Sequence, residues 1–309
     1  MKKIILSLIA VALSVLAVNA QDMSQATEIA KTANEALGTG DNDLALKGFK
    51  EALGIAEQCG DEGAELVATC KDIIPQIMLQ LGKDQVKAGN FDAALEMFKS
   101  TIDCAKEYGV DEVIEKATSL IPDTHNRKAS SLAKAGDVAG AIEAYKEFLA
   151  LEPENGAAAL QLGNLYVKSG DLENAETVLA VAIANGKEKE ANKLLSNSYL
   201  KKAQASLKAN KLAEAIADCE KSNSFLENAN AYKLAASAAS KLKKNNDAIG
   251  YYEKYLEIAP DAKDVEGIIC TVAVLYQQAG NKAKAKEYYT KIVDSAQYGA
   301  TAKEQLKTL

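Results

Sequence analysis

The chain has 309 residues and a formal charge of −7 at neutral pH. An acidic balance of this kind argues against attraction to nucleic acid or to anionic lipid. Arg127 is the single arginine and tryptophan is absent, so bidentate guanidinium forks and indole stacking have almost no place in its recognition chemistry.

The N-terminus reads "MKKIILSLIAVALSVLAVNAQD". Lys2 and Lys3 form a basic start, Ile4 to Val18 an apolar run, and Val18-Asn19-Ala20 a small-residue cleavage site, so residues 1–20 are expected to be a secretory signal peptide cut after Ala20. The run falls short of the about 20 apolar residues that span a bilayer, and no later segment is long and apolar enough to do so. No cysteine follows the cleavage site, which argues against a lipoprotein anchor. The segment resembles a bacterial Sec signal, and "NAQ" resembles exported proteins of the Bacteroidota, implying a periplasmic mature chain. Removing it takes away two lysines and no acid, leaving a more acidic chain. Cys59, Cys70, Cys104, Cys219 and Cys270 are odd in number with no C-x-x-C spacing. Most fall on apolar faces of predicted helices, so buried thiols are expected rather than a structural bridge. His125 is near none of them in sequence, which disfavours a metal site.

Beyond the signal, one pattern recurs. In "LQLGNLYVKSGDLENAETVLAVAI" (160–183), two helical periods flank a Gly-Asp turn. Ala175 has counterparts at Ala45, Ala94, Ala141, Ala215, Ala248 and Ala285. Five residues before each lies a turn position: Gly40, Gly89, Gly136, Gly170, Asn210, Lys243 and Gly280. All but Lys243 are residues that end helices in the left-handed conformation. Four residues after each alanine comes Phe49, Phe98, Tyr145, Leu179, Tyr252 or Tyr289, with Cys219 the small exception. Seven before the turn sits Ala or Gly: Ala33, Gly82, Ala129, Gly163, Ala203, Ala236 and Ala273. Pro153 and Pro260 stop the second helices of their units.

With a spacing near about 34 residues in most intervals, this register resembles the tetratricopeptide-repeat family over essentially the whole mature chain. The resemblance implies an all-α fold: an α-solenoid of about seven stacked helix-turn-helix repeats with a C-terminal capping helix. The expected repeats are 26–59, 75–108, 122–155, 156–189, 196–228, 229–262 and 266–299, with 300–309 as the cap. Gly163 and Ala175 are expected to face each other, letting the helix axes approach, with Tyr166 and Leu179 filling the space on either side. In the first two intervals, 15 and 13 residues longer than the period, "AEQCGDEGAELVATCKDIIPQI" aligns with "AKEYGVDEVIEKATSLIPDTHN", matching Pro75 with Pro122. These read as longer, kinked repeats with a proline near a helix start or bend. The cap places Ala302, Leu306 and Leu309 on one face and Lys303, Glu304 and Lys307 on the other. No linker divides the chain, so one continuous solenoid is expected.

Catalytic motifs are absent from the sequence. His125 lies near Ser130 and Ser131, but no nucleophile elbow surrounds them, and its register position favours packing. There is no phosphate-binding G-x-x-x-x-G-K-[ST] loop and no H-E-x-x-H pair. "GTGDND" at 38–43 lacks the spacing of a calcium loop and reads as a turn with a helix cap. No cofactor and no metal are therefore expected.

Recognition suits the architecture better. In the family, the second, fifth, sixth and ninth positions of each first helix line a concave groove. The resemblance carries these positions onto Asp123, Asn126, Arg127 and Ser130; onto Gln161 and Asn164; onto Asn197, Lys201 and Gln204; and onto Asn230, Lys233 and Ser237. Their amides suit a partner's backbone and the lysines its acids; the same side chains also fit ordinary solvated positions. A carboxylate clamp used by part of the family requires lysine where Leu160 stands, so an adaptor for C-terminal tails is disfavoured. The function expected is a non-enzymatic, exported scaffold binding a protein or peptide segment, with association with an envelope complex open. The alternatives are an exported hydrolase or a glycan-binding protein built on the same solenoid.

Overall fold

The computed structural model describes residues 22–309, and among them no strand occurs. The signal peptide expected at residues 1–20 lies outside the described residues. The chain divides into two units at Glu152 and Pro153. The first holds α1 (residues 22–39), α2 (Asn42–Gln58), α3 (Ala64–Ala88), α4 (Phe91–Tyr108), α5 (Asp111–Ala135) and α6 (Val138–Leu151). The second holds α7 (Gly156–Ser169), α8 (Leu172–Ala182), α9 (Glu188–Lys208), α10 (Leu212–Phe225) and α11 (Ala229–Lys241). It continues through α12 (Asn245–Ile258), α13 (Val265–Gln278), α14 (Lys282–Thr290) and α15 (Gly299–Thr308). The fold is all-α, of the α-solenoid class, with its helices packed in consecutive pairs.

Turn chemistry produces the pairing. Gly40, Gly89, Gly136, Gly170, Asn210, Lys243 and Gly280 all have positive φ. Even Lys243, the residue least suited to it, adopts this conformation (φ 60). In the α7–α8 turn the Gly170 N–H bonds to Val167 O and the Asp171 N–H to Tyr166 O, satisfying orphan carbonyls of α7. Asp171 then accepts from the Asn174 N–H at 3.1 Å and caps α8. Asp41 and Asp137 do the same for α2 and α6, which makes "GTGDND" a turn and a cap. Connections this short force antiparallel neighbours.

The small residues sit where helices meet. A Cβ on Gly163 would lie 2.4 Å from both Cγ and Cδ2 of Leu179, and one on Gly82 would lie 2.5 Å from Phe98 Cε1. Gly163 is thus covered by Leu179. Ala175, the residue expected opposite it, is fully buried one helical turn earlier on the same face of α8. The physical reason is reach: residues four apart share a helix face, and the longer side chain occupies the gap left by the missing Cβ. In the other hairpins Ala33 shares a core with Phe49, Ala203 with Cys219, Ala236 with Tyr252, and Ala273 with Tyr289.

Helices α3 and α5 run 25 residues each, with Pro75 and Pro122 well inside them and equally far from their starts. The additional sequence in these repeats lengthens the first helix of each pair. Between α8 and α9 the chain passes through a π turn, Ile183–Lys187, where Gly186 takes φ 81. Ala302 of α15 is buried in the last core of the second unit, with Leu306 and Leu309 packed against it, while Lys303, Glu304 and Lys307 stay exposed. None of the five cysteines is in a disulfide; Cys59, Cys70 and Cys219 are buried, and Cys104 and Cys270 partly so.

Candidate peptide-binding face

In the second unit the first helices of successive hairpins adjoin, α7 against α9 and α9 against α11. Gly163, Ala203 and Ala236 point from these helices into the hairpins. Residues one place later or two places earlier emerge on another side, as 3.6-residue periodicity requires. Gln161, Asn197, Lys201, Gln204 and Asn230 are exposed, and Asn164, Lys233 and Ser237 are half-buried.

These residues differ in what they already bind. Among the described residues, the side chains of Gln161, Asn164, Asn197, Lys201 and Gln204 have no hydrogen-bond or ion partner and keep their full capacity for a ligand. Asn230 follows the α11 cap, where its N–H donates to Asn228 Oδ1 at 3.0 Å. Lys233 is committed. Its Nζ donates to Asp264 Oδ2 at 2.8 Å and lies 5.4 Å from the centre of the Tyr255 ring. The Tyr255 hydroxyl donates to the other oxygen of the same carboxylate at 2.5 Å. Lys233, and next the phenol, hold the Asp264 carboxyl below the usual carboxylate range. Burial, then the bond to Asp264, pushes the Tyr255 phenol up to about 12.

Asn126 and Arg127 belong to α5 in the first unit. Asn126 is half-buried; Arg127 is exposed, and its Nε donates to Asp123 Oδ2 at 2.7 Å, an i,i+4 pair on the same helix. The guanidinium therefore meets any ligand with one carboxylate already attached. Ser130 lies 3.2 Å from the Tyr145 hydroxyl. His125 Nδ1 is 3.2 Å from Glu147 Oε2 without hydrogen-bond alignment, while Lys128 approaches the same oxygen at 3.7 Å and Asp92 at 2.7 Å. The half-buried imidazole thus lies beside an acid and a lysine, and Ser130 turns to a tyrosine instead. Among the described residues no group of His, Cys, Asp and Glu could hold a metal ion, and no helix is long and apolar enough to cross a membrane.

The Asp264–Tyr255 pair was not legible in the sequence. Asp264 stands 31 residues from Lys233, and only the structure brings the α13 cap against α11. The same register also reaches α13, where Cys270, Thr271 and Val274 continue the positions of Lys233, Leu234 and Ser237 with apolar or neutral side chains. Counting on by one repeat would have found them.

Models of the tetratricopeptide repeat match residues 132–198, and again residues 229–262 and 267–297. No curated protein matches the chain in sequence. Among solved structures it is similar to MamA protein, at 21% identity over 58% of this chain and 94% of that one, with a TM-score of 0.32. It is similar to pilF of Pseudomonas aeruginosa at 17% identity over 77% and 99% of the two chains, with a TM-score of 0.30. A tetratricopeptide repeat protein from Parabacteroides merdae is 16% identical over 93% and 98%, with a TM-score of 0.27. At such values these likenesses decide nothing about partner or activity. The family models fall on helix hairpins whose left-handed turns, small residues and nested core side chains recur in one register, and over those segments the chain is similar to tetratricopeptide repeats.

Proposed function

We propose that the chain is a non-enzymatic scaffold that holds a protein or peptide segment against its first-helix side. The observation that carries this reading is the run of Gln161, Asn164, Asn197, Lys201 and Gln204: polar side chains on adjoining helices, accessible and without internal partners. Amides can bond the backbone of an extended segment whatever its sequence, and Lys201 supplies a cation for an acid. Lys233 contributes as part of an ion pair, so it favours a ligand offering both a donor and an acceptor.

The experiment is a comparative pull-down from the envelope fraction with the native chain and the variant Asn164→Ala, Asn197→Ala, Lys201→Ala, Lys233→Ala. Selective loss of one or more partners is expected; unchanged capture of every partner would remove the face from consideration. The proposal includes export, supported by the basic start, apolar run and small-residue site of residues 1–20. A periplasmic mature chain beginning at Gln21 is the expected N-terminal sequence. A cytoplasmic chain retaining Met1 would contradict export and leave the binding face untouched.

A further inference from the structure

The turn edge of the second unit changes character along the chain. The α7–α8 turn reads "GDLE" from Gly170, with the aspartate capping α8. The α9–α10 turn reads "KANK" from Lys208, the α11–α12 turn "KLKK" from Lys241, and α14 opens with "KAKAK" from Lys282. No acid lies within these three stretches, and every lysine in them is exposed. Lys211 pairs with Glu214 and Lys284 with Glu287; the others have no ion partner among the described residues.

Several local rules are broken at this one edge. Lys211 and Lys244 occupy the N-caps of α10 and α12 and make no side-chain cap bond. A cation there leaves orphan N–H groups unmet and stands at the positive end of the helix dipole. Lys243 takes the left-handed conformation that glycine adopts without strain. Leu242, beside it, is 38% exposed. A recess of about 440 Å³, lined by Lys243, Lys244, Asn245, Asn246, Asp247 and Ala279, continues the edge to the end of α13, where Asn245 Nδ2 donates to Gln278 Oε1 at 3.4 Å. Residues that violate local preference together, without a packing gain, mark a surface kept for another purpose.

We propose that this lysine edge docks on an anionic lipid bilayer, with Leu242 entering the headgroup layer. Lysines act as point charges and suit a diffuse layer of phosphates, whereas guanidinium forks would signal discrete sites. None of the three turns carries an aromatic side chain on which nucleic-acid bases could stack. An exposed leucine ringed by lysines is the composition of an interfacial contact. Acids more than about 8 Å from the surface are screened at physiological salt; of those at the edge, Glu214 and Glu287 are paired with Lys211 and Lys284, and Asp247 stands against Lys241, Lys243 and Lys244. This surface uses different residues from the peptide-binding face and does not depend on it.

The test is co-sedimentation of the full mature chain with phosphatidylcholine vesicles, with and without phosphatidylglycerol, at low and physiological salt. Binding is expected only with phosphatidylglycerol and should weaken with salt. Each lysine near an anionic surface changes partitioning about fivefold, so Lys241→Gln, Lys243→Gly, Lys244→Gln together should weaken it on the order of 100-fold. Leu242→Ser should weaken it several-fold, and thermal melts of both variants should match the native chain or exceed it. Absence of binding to phosphatidylglycerol vesicles at low salt would overturn the proposal, as would undiminished binding of a folded triple variant. Tighter binding of polyglutamate or of a single-stranded oligonucleotide than of the vesicles would overturn it in favour of an acidic protein or a nucleic acid.

Discussion

Leu179 of α8 lies over Gly163 of α7, so close that a Cβ at Gly163 would fall 2.4 Å from two of its carbons. Gly163→Ala gains about 1 kcal/mol in helix propensity but overpacks the contact at about 1–3 kcal/mol. A net loss of about 1 kcal/mol is therefore expected, read as a lower melting temperature by circular dichroism. Shortening the partner in the double variant Gly163→Ala, Leu179→Val should recover part of it, since contacting residues are not additive. Gly82 and Phe98 form the same contact in the first unit and should behave alike.

At the α11–α12 turn, Lys243 has φ 60 with nothing in its sequence to favour that conformation. Lys243→Gly should stabilise the chain by about 1 kcal/mol, and Lys243→Ala by much less, because alanine retains the Cβ. Equal melting temperatures for Lys243→Gly and Lys243→Ala would contradict the conformational reading.

The Lys233, Asp264 and Tyr255 cluster gives a pH window. Asp264 is lowered in the folded chain, so its contribution is present above the ordinary aspartate range near about 4 and fades as pH falls through the lowered value. Tyr255 is raised, so its contribution is present below about 10 and is lost as pH rises through about 12. Asp264→Asn should flatten the acid limb of the stability profile and bring the Tyr255 phenol down only partway, because burial is the larger cause. Phenolate absorbance measured against a Tyr255→Phe control reads this directly.

Cys219 is fully buried, and burial, followed by the nearby Asp218 and Glu220 charges, pushes its thiol up to about 12. In the native chain at neutral pH Cys219 should resist a thiol reagent and become reactive only in denaturant. Mass spectrometry of single-cysteine variants would locate the label; labelling of native Cys219 at the rate of an exposed thiol would contradict its burial.

Much of the fold was legible because it rests on short-range rules. All seven turn positions could be counted from the sequence, and even Lys243 obeyed the register against its own preference. What could not be read depended on reach or on distant sequence. Leu179 was expected beside Gly163, but not that it would come nearer to it than Ala175 does. Pro75 and Pro122 were read as near a helix start or bend, and α3 and α5 begin well before them, which removes the start. Lys233 looked available, yet a carboxylate 31 residues away holds it.

Partners are proposed to be held on the first-helix side. Site-specific photo-crosslinking in intact cells tests this most directly, with the crosslinker at Asn197 or Gln204 of α9 and, as a comparison, at exposed Ala217 of α10. Discrete adducts are expected from the two α9 positions and none from Ala217. Adducts from Ala217 alone would contradict it.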